Sequence, residues 1–420
     1  MRHTCLLLLV CLPLSACRVA GEAAAAPAAD ELTYRLHYEL VLEPLRGAAR
    51  ASITLDQPRH LLREARFSLS GERWTKFAGD GEIERRGGKL VWRPPERGGT
   101  LTWQVALVHP RGEAYDARLG PEWALFRGED AFPAAATRTL KDAVSRSTLT
   151  LRVPRGWSVV TPYREEDGRY QVVNDERRFD RPTGWMVAGN LGVRRDTIAG
   201  VRVAVAGPVD HGVRRVDVLA LLNWTLPEIV RLVPDFPERL TVVSAGDPMW
   251  RGALSAPDSL YVHADRPLIS ENGTSTLLHE LMHIALGRDT VRGDDWILEG
   301  LAEYYSVEVL RRTGTVTAAR SRDTFRDLAE WGEASEGLRR RHSTGATTAR
   351  AASVFRKLDR EIRDRTGGDA SLDDVLRRLA DGDGRLGLAE LRETAAAVMD
   401  ASSRTLASEE FRDALGDPAT

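Results

Sequence analysis

Lysine is nearly absent: the 59 basic residues are arginine except Lys76, Lys89, Lys141 and Lys357. The arginines are interleaved with 61 acidic residues, which leaves a formal net charge of −2 and no basic run of the kind that grips a polyanion. A nucleic-acid partner is therefore not expected. Cysteine is scarcer still, with Cys5, Cys11 and Cys17 all in the first 17 residues, so the body of the chain can form no disulfide. Long apolar runs are missing too. The run from Cys5 to Leu14 is too short to span a bilayer, and no later stretch reaches that length. What remains is an ordinary globular composition, 42% hydrophobic over 420 residues, long enough for two or three domains.

The short run reads as an export signal, because a basic start precedes it and Leu14-Ser15-Ala16-Cys17 follows. That tetrapeptide resembles the bacterial lipobox, which implies lipidation of Cys17 and a membrane anchor on the periplasmic side, the outer membrane being favoured by Arg18. Residues 18–31 are rich in alanine and proline without periodicity and suit a tether.

From 32 to 206 the apolar period is two, as in Leu36, Tyr38, Leu40 and Leu42, or Leu101, Trp103, Val105 and Leu107. Short alternating strands at this density predict an N-terminal antiparallel β-sandwich, with Trp74, Trp92, Trp103 and Trp157 in its core. Past residue 213 helical spacing takes over, at Val216, Leu219, Leu222 and Leu226, with Pro227 expected to interrupt it. Two helices are predicted near 273–286 and 294–312, the first starting at Asn272 or Thr274 and stopping at Gly287. The expected whole is a multidomain α+β protein with a middle domain over 207–345 and a helical C-terminal region over 346–420. The segment Asp381 to Leu391 echoes a calcium loop, but Arg392 stands where the glutamate ligand belongs, so a turn before a helix is expected.

Only nine histidines occur, yet two of them frame the sequence His279-Glu280-Leu281-Met282-His283. Residues four apart share one helix face, so both imidazoles can reach one ion with Glu280 beside it. Zinc needs a third protein ligand and an open position for water. Glu299 on the next helix offers the ligand, and Glu303 one turn later can fix a histidine tautomer by accepting its free N–H. One zinc ion held by His279, His283 and Glu299 is thus expected.

H-E-x-x-H followed by "WILEGLAEY" resembles the gluzincin metallopeptidases, in particular the aminopeptidase N and glycyl aminopeptidase families. The resemblance implies a thermolysin-like catalytic domain between a β domain and a helical tail, His279, His283 and Glu299 as zinc ligands with Glu280 as the catalytic base, and a peptide or protein substrate. It also directs attention to Gly252, Ala253, Leu254, Ser255 and Ala256 as the substrate edge strand. There the relatives' Gly-Ala-Met-Glu-Asn supplies a glutamate for the substrate's amino group, and this chain has none. The relatives' transition-state tyrosine is also missing; Thr348 stands near its place, leaving His342, Tyr304 and Tyr305 as candidate donors. The functional expectation is a zinc metallopeptidase. The rival is a zinc-binding pseudopeptidase acting as a tethered scaffold, and a third reading is a small-molecule hydrolase such as an epoxide hydrolase on the same scaffold.

Overall fold

A computed structural model describes residues 32–69, 71–173, 179–340, 343 and 345–416. Cys17 and the 18–31 segment lie outside the described residues, as does His342.

The N-terminal strands form seven-, five- and four-stranded sheets. Tyr34, Leu36, Tyr38, Leu40 and Leu42 of the strand Thr33–Glu43 all point inward, as the two-residue period requires. They meet Phe67, Trp92, Trp103 and Phe132 in one shared core, where Tyr38 and Phe132 pack edge to face at 5.1 Å. Trp74 joins that core and Trp157 packs at its margin. The pairing is not wholly antiparallel, because Thr33–Glu43 runs parallel to Val144–Arg152 while pairing antiparallel with Ala48–Asp56. A short helix, α1 (Gly128–Ala131), follows the strand Trp123–Arg127.

The next sheet has five strands in the spatial order Leu191–Ile198, Val201–Pro208, Arg239–Ala245, Ser259–His263 and Ala253–Ala256. Its first two strands alternate like the upstream ones, but Val201–Pro208 runs parallel to Arg239–Ala245 and so belongs to this downstream sheet. Alternation identifies a strand and not its partner. Helix α2 (Arg215–Leu232) makes the crossover that a parallel pair needs. It runs unbroken through Pro227, contrary to expectation, and it buries Val218, Leu221, Leu222, Leu226 and Ile229 while Val216 is left exposed. The outermost strand, Ala253–Ala256, pairs among the described residues only with Ser259–His263, in antiparallel register.

Against this sheet lies α3 (Thr276–Leu286), with α4 (Trp296–Arg312) packed on it; α5 (Ala318–Gly332) and α6 (Gly345–Arg365) cover α4, and α7 (Leu372–Ala380) and α8 (Leu388–Met399) pack on α6. Helix α4 is buried along most of its length. It touches α6 closely at Gly300, where a Cβ would stand 2.6 Å from the Cβ of Ala351, so only glycine fits. Trp296 stacks on Phe355 at 6.0 Å beside that contact.

The C-terminal end of α4 is tied by charge. Arg312 forks onto Asp373 at 2.8 and 2.9 Å, and bonds Glu308 at 2.8 Å and Glu228 at 3.2 Å, linking α2, α4 and α7. Burial works to raise the Asp373 pKa, but Arg312 and the Tyr305 hydroxyl outweigh it and hold the carboxyl below its usual range; Arg231 and then Arg312 do the same for Glu228. Replacing Arg312 by methionine strands these acids and should cost about 3–5 kcal/mol in urea unfolding at pH 7. A carboxyl whose pKa is depressed by folding stabilises above its unfolded value, and that contribution fades as pH falls. The deficit of the variant should therefore shrink below about pH 4; a constant deficit would contradict the assignment.

Candidate metal centre

Helix α3 starts at Ser275, whose hydroxyl accepts the Leu278 N–H at 3.3 Å. Asn272 and Thr274, the expected starts, form the turn before it, with the Asn272 carboxamide accepting from the Thr274 N–H and hydroxyl. Gly287 ends the helix in the left-handed conformation at φ 59°, as expected. The connection to α4 is fixed from the far end of the chain. Arg288 reaches the Leu379 carbonyl at 2.8 Å and Glu390 at 2.5 Å, Val291 N–H donates to the Leu386 carbonyl at 2.8 Å, and Leu388 N–H donates to Asp294 at 2.9 Å. The turn-rich segment Asp381 to Leu391 thus leads into α8, as the sequence suggests, while also clamping the loop between α3 and α4.

These two helices bring His279, His283 and Glu299 together, with one ligand atom from each inside a 4.8 Å cluster. The facing Nε2 atoms of the histidines are 3.1 Å apart, and each lies 3.4 Å from a Glu299 oxygen. Glu303 stands behind, 2.9 Å from Nδ1 of His279. A carboxylate has no proton to give, so Nδ1 donates, and Nε2 is the ring atom that faces the cluster. Burial acts to lower the His279 pKa, yet Glu299 and Glu303 together drive it well above the usual value. Burial acts to raise that of Glu299, yet His279 and His283 hold it well below the carboxylate range. Both shifts describe a pocket that favours positive charge where the three side chains meet. Two imidazoles and a carboxylate, with a carboxylate behind one imidazole, fit a zinc ion in donor type and number.

Glu280, one residue from His279, is nearly buried, and its Oε2 accepts the Ser255 N–H at 2.7 Å. This ties it to the edge strand, of which Ala253–Ala256 are strand residues and Gly252 precedes them, accepting from His263 N–H. The other predicted residues fall elsewhere. Residues advance about 100° per position around a helix, which turns Tyr304 and Tyr305 away from the Glu303 face. Tyr305 is fully buried and donates to Asp373 at 3.0 Å, while Tyr304 packs on Phe325 at 5.6 Å. Neither reaches the cluster. His263 is buried in its strand, accepts Asp265 N–H at Nδ1, and is not among the clustered ligands. One contact went unassigned in the sequence: Thr348, in the first turn of α6, donates its hydroxyl to Glu299 at 3.3 Å. Only the packing of α6 on α4 creates it.

Glu303→Gln keeps the shape but weakens the hold on His279, and should lower zinc affinity by about 10- to 100-fold in competition with a chelator. His283→Ala should abolish tight binding; zinc held equally by both variants would place the ion elsewhere.

No protein-family model and no curated protein matches the sequence. Solved structures do match. The aminopeptidase N family protein from Idiomarina loihiensis superimposes with a TM-score of 0.66 at 14% identity, covering 92% of this chain and 76% of that one. An M1 zinc metallopeptidase from Deinococcus radiodurans gives 0.56 at 16% identity, covering 87% and 90%. Yeast LTA4 hydrolase in complex with bestatin gives 0.57 at 14% identity, covering 95% and 71%. At such identities the likeness speaks for the fold: the chain has a mixed α+β fold similar to that of the M1 zinc metallopeptidases.

Proposed function

We propose that the protein is a zinc metallopeptidase, exported and anchored through Cys17, with an N-terminal β domain, a catalytic domain that takes in the sheet from Leu191 onward, and a helical region over 346–420. The observation that carries the reading is the convergence of His279, His283 and Glu299 with Glu280 bonded to the edge strand beside them. When bound, zinc lowers the pKa of a water ligand and polarises a carbonyl. Glu280 is the residue placed to carry protons: its carboxylate would take one from a water at the site and pass it to the departing amine. The Ser255 N–H fixes one of its oxygens and leaves the other to work. An extended peptide pairs with the free side of Ala253–Ala256, the usual way a strand edge takes a ligand. A cavity of about 820 Å³ runs from His283 and Ser255 to Gly287 and Asp383 and gives such a peptide room. A relative from Deinococcus radiodurans has been solved with a Tyr-Ser-Ala substrate, which supports a peptide as the ligand class.

Residues 252–256 include no acid to hold a free amino group, so peptides with blocked and free N-termini should be cleaved at similar rates. Glu280→Gln should reduce hydrolysis by about 10²–10⁴-fold with zinc retained. One observation favours the pseudopeptidase instead: Thr348 touches Glu299 where the resemblance calls for a tyrosine. No cleavage of a mixed peptide library by the zinc-loaded wild-type chain would decide for that scaffold role.

A further inference from the structure

On the side of α4 away from Glu299 and Glu303, a second cavity of about 360 Å³ opens between α4, α5 and α6. Five arginines line it, Arg311, Arg322, Arg356, Arg360 and Arg363, against two carboxylates, Glu308 and Asp359. Both acids are already committed. Glu308 holds Arg311 at 2.6 Å and Arg312 at 2.8 Å, and Asp359 holds Arg363 at 2.8 Å while accepting the Leu372 N–H at 2.9 Å. Among the described residues no carboxylate stands within ion-pair distance of Arg322, Arg356 or Arg360. Arg356 lies over the ring of Phe325 at 4.5 Å, and Phe325 packs on Tyr304, so the floor is aromatic and rigid. Burial, then the neighbouring Arg360, lowers the Arg356 pKa.

This arrangement works against the free protein. Arg356 and Arg360, neither of them paired with an acid, fall four apart on one face of α6, and like charges at that spacing cost a helix about 0.2–0.5 kcal/mol. An anion in the cavity reverses the sign. The number of unpaired guanidiniums selects the anion. A carboxylate, with one charge and two oxygens, is satisfied by one fork. Three guanidiniums suit a group with nearly two charges and three acceptor oxygens. We propose that the cavity between α4, α5 and α6 is a binding site for a phosphate monoester, held by Arg322, Arg356 and Arg360, with room for the carbon skeleton that carries it.

The test is a thermal-shift titration of the zinc-loaded full chain with inorganic phosphate and with glycerol 3-phosphate, against sodium chloride at matched ionic strength. It is repeated in a His279→Ala background, so that phosphate at the metal centre is not counted. The expected result is a saturable rise in Tm with both probes in both backgrounds. The apparent Kd should rise at least tenfold in Arg356→Gln/Arg360→Gln. Arg322→Gln, a change on the exposed face of α5, should weaken binding severalfold and keeps the test decisive if the double variant misfolds. Co-sedimentation with phosphatidylcholine vesicles distinguishes the sources of the group. Arginine-dependent retention by phosphatidic acid but not by phosphatidylglycerol assigns a lipid headgroup, and retention by neither, with the titration positive, assigns a soluble phosphate. The proposal is overturned if phosphate does no more than chloride, if the variants respond like wild type, or if both anionic lipids retain the protein alike.

Discussion

Helix α4 is enclosed nearly all the way round, and the contact of Gly300 with Ala351 sets its rotation about its own axis. Three different surfaces depend on that angle. One carries Glu299 and Glu303 to the histidines of α3, one carries Arg312 to Asp373 and Glu228, and one carries Tyr304 to the floor of the arginine cavity. A rotation by one residue, about 100°, would bring an alanine or a tyrosine to His279. Because interiors are packed like solids, the helix cannot drift between such settings, and a side chain added at position 300 would disturb all three surfaces at once.

The β half also helps to build the metal centre. Trp185, buried at its edge, donates its indole N–H to the Leu254 carbonyl at 2.8 Å, and its own N–H goes to the Ser259 hydroxyl at 2.8 Å. These bonds hold the two outer strands of the downstream sheet. Ser255, next to Leu254, in turn positions Glu280. The chain of contacts from Trp185 to Glu280 runs through backbone atoms, which gives the edge strand a fixed place despite its short length.

What the sequence shows plainly is local. Two histidines four apart, Glu299 and Glu303 one turn apart and a glycine stop at Gly287 are read from the local sequence, and the structure brings the four side chains into one small volume and ends the helix at Gly287. What it hides is the choice of partner. Leu191–Ile198 and Val201–Pro208 look like their upstream neighbours until the parallel pairing with Arg239–Ala245 assigns them. Val216 fits a helical period as well as Val218 does, and only the sheet under α2 decides which is buried. Arginines that look scattered along the chain gather in one cavity because three successive helices, α4, α5 and α6, pack around it. Thr348 touches Glu299 for the same kind of reason.

The clamp on the loop between α3 and α4 has a consequence in time. Its anchors, Gly384 and Glu390, lie 96 and 102 residues beyond Arg288. During synthesis, every clustered ligand leaves the ribosome well before the residues that fix the angle between the helices bearing them. A nascent chain that stops at residue 378 carries the full donor set without the lock. The candidate metal centre is thus among the last features of the protein to mature.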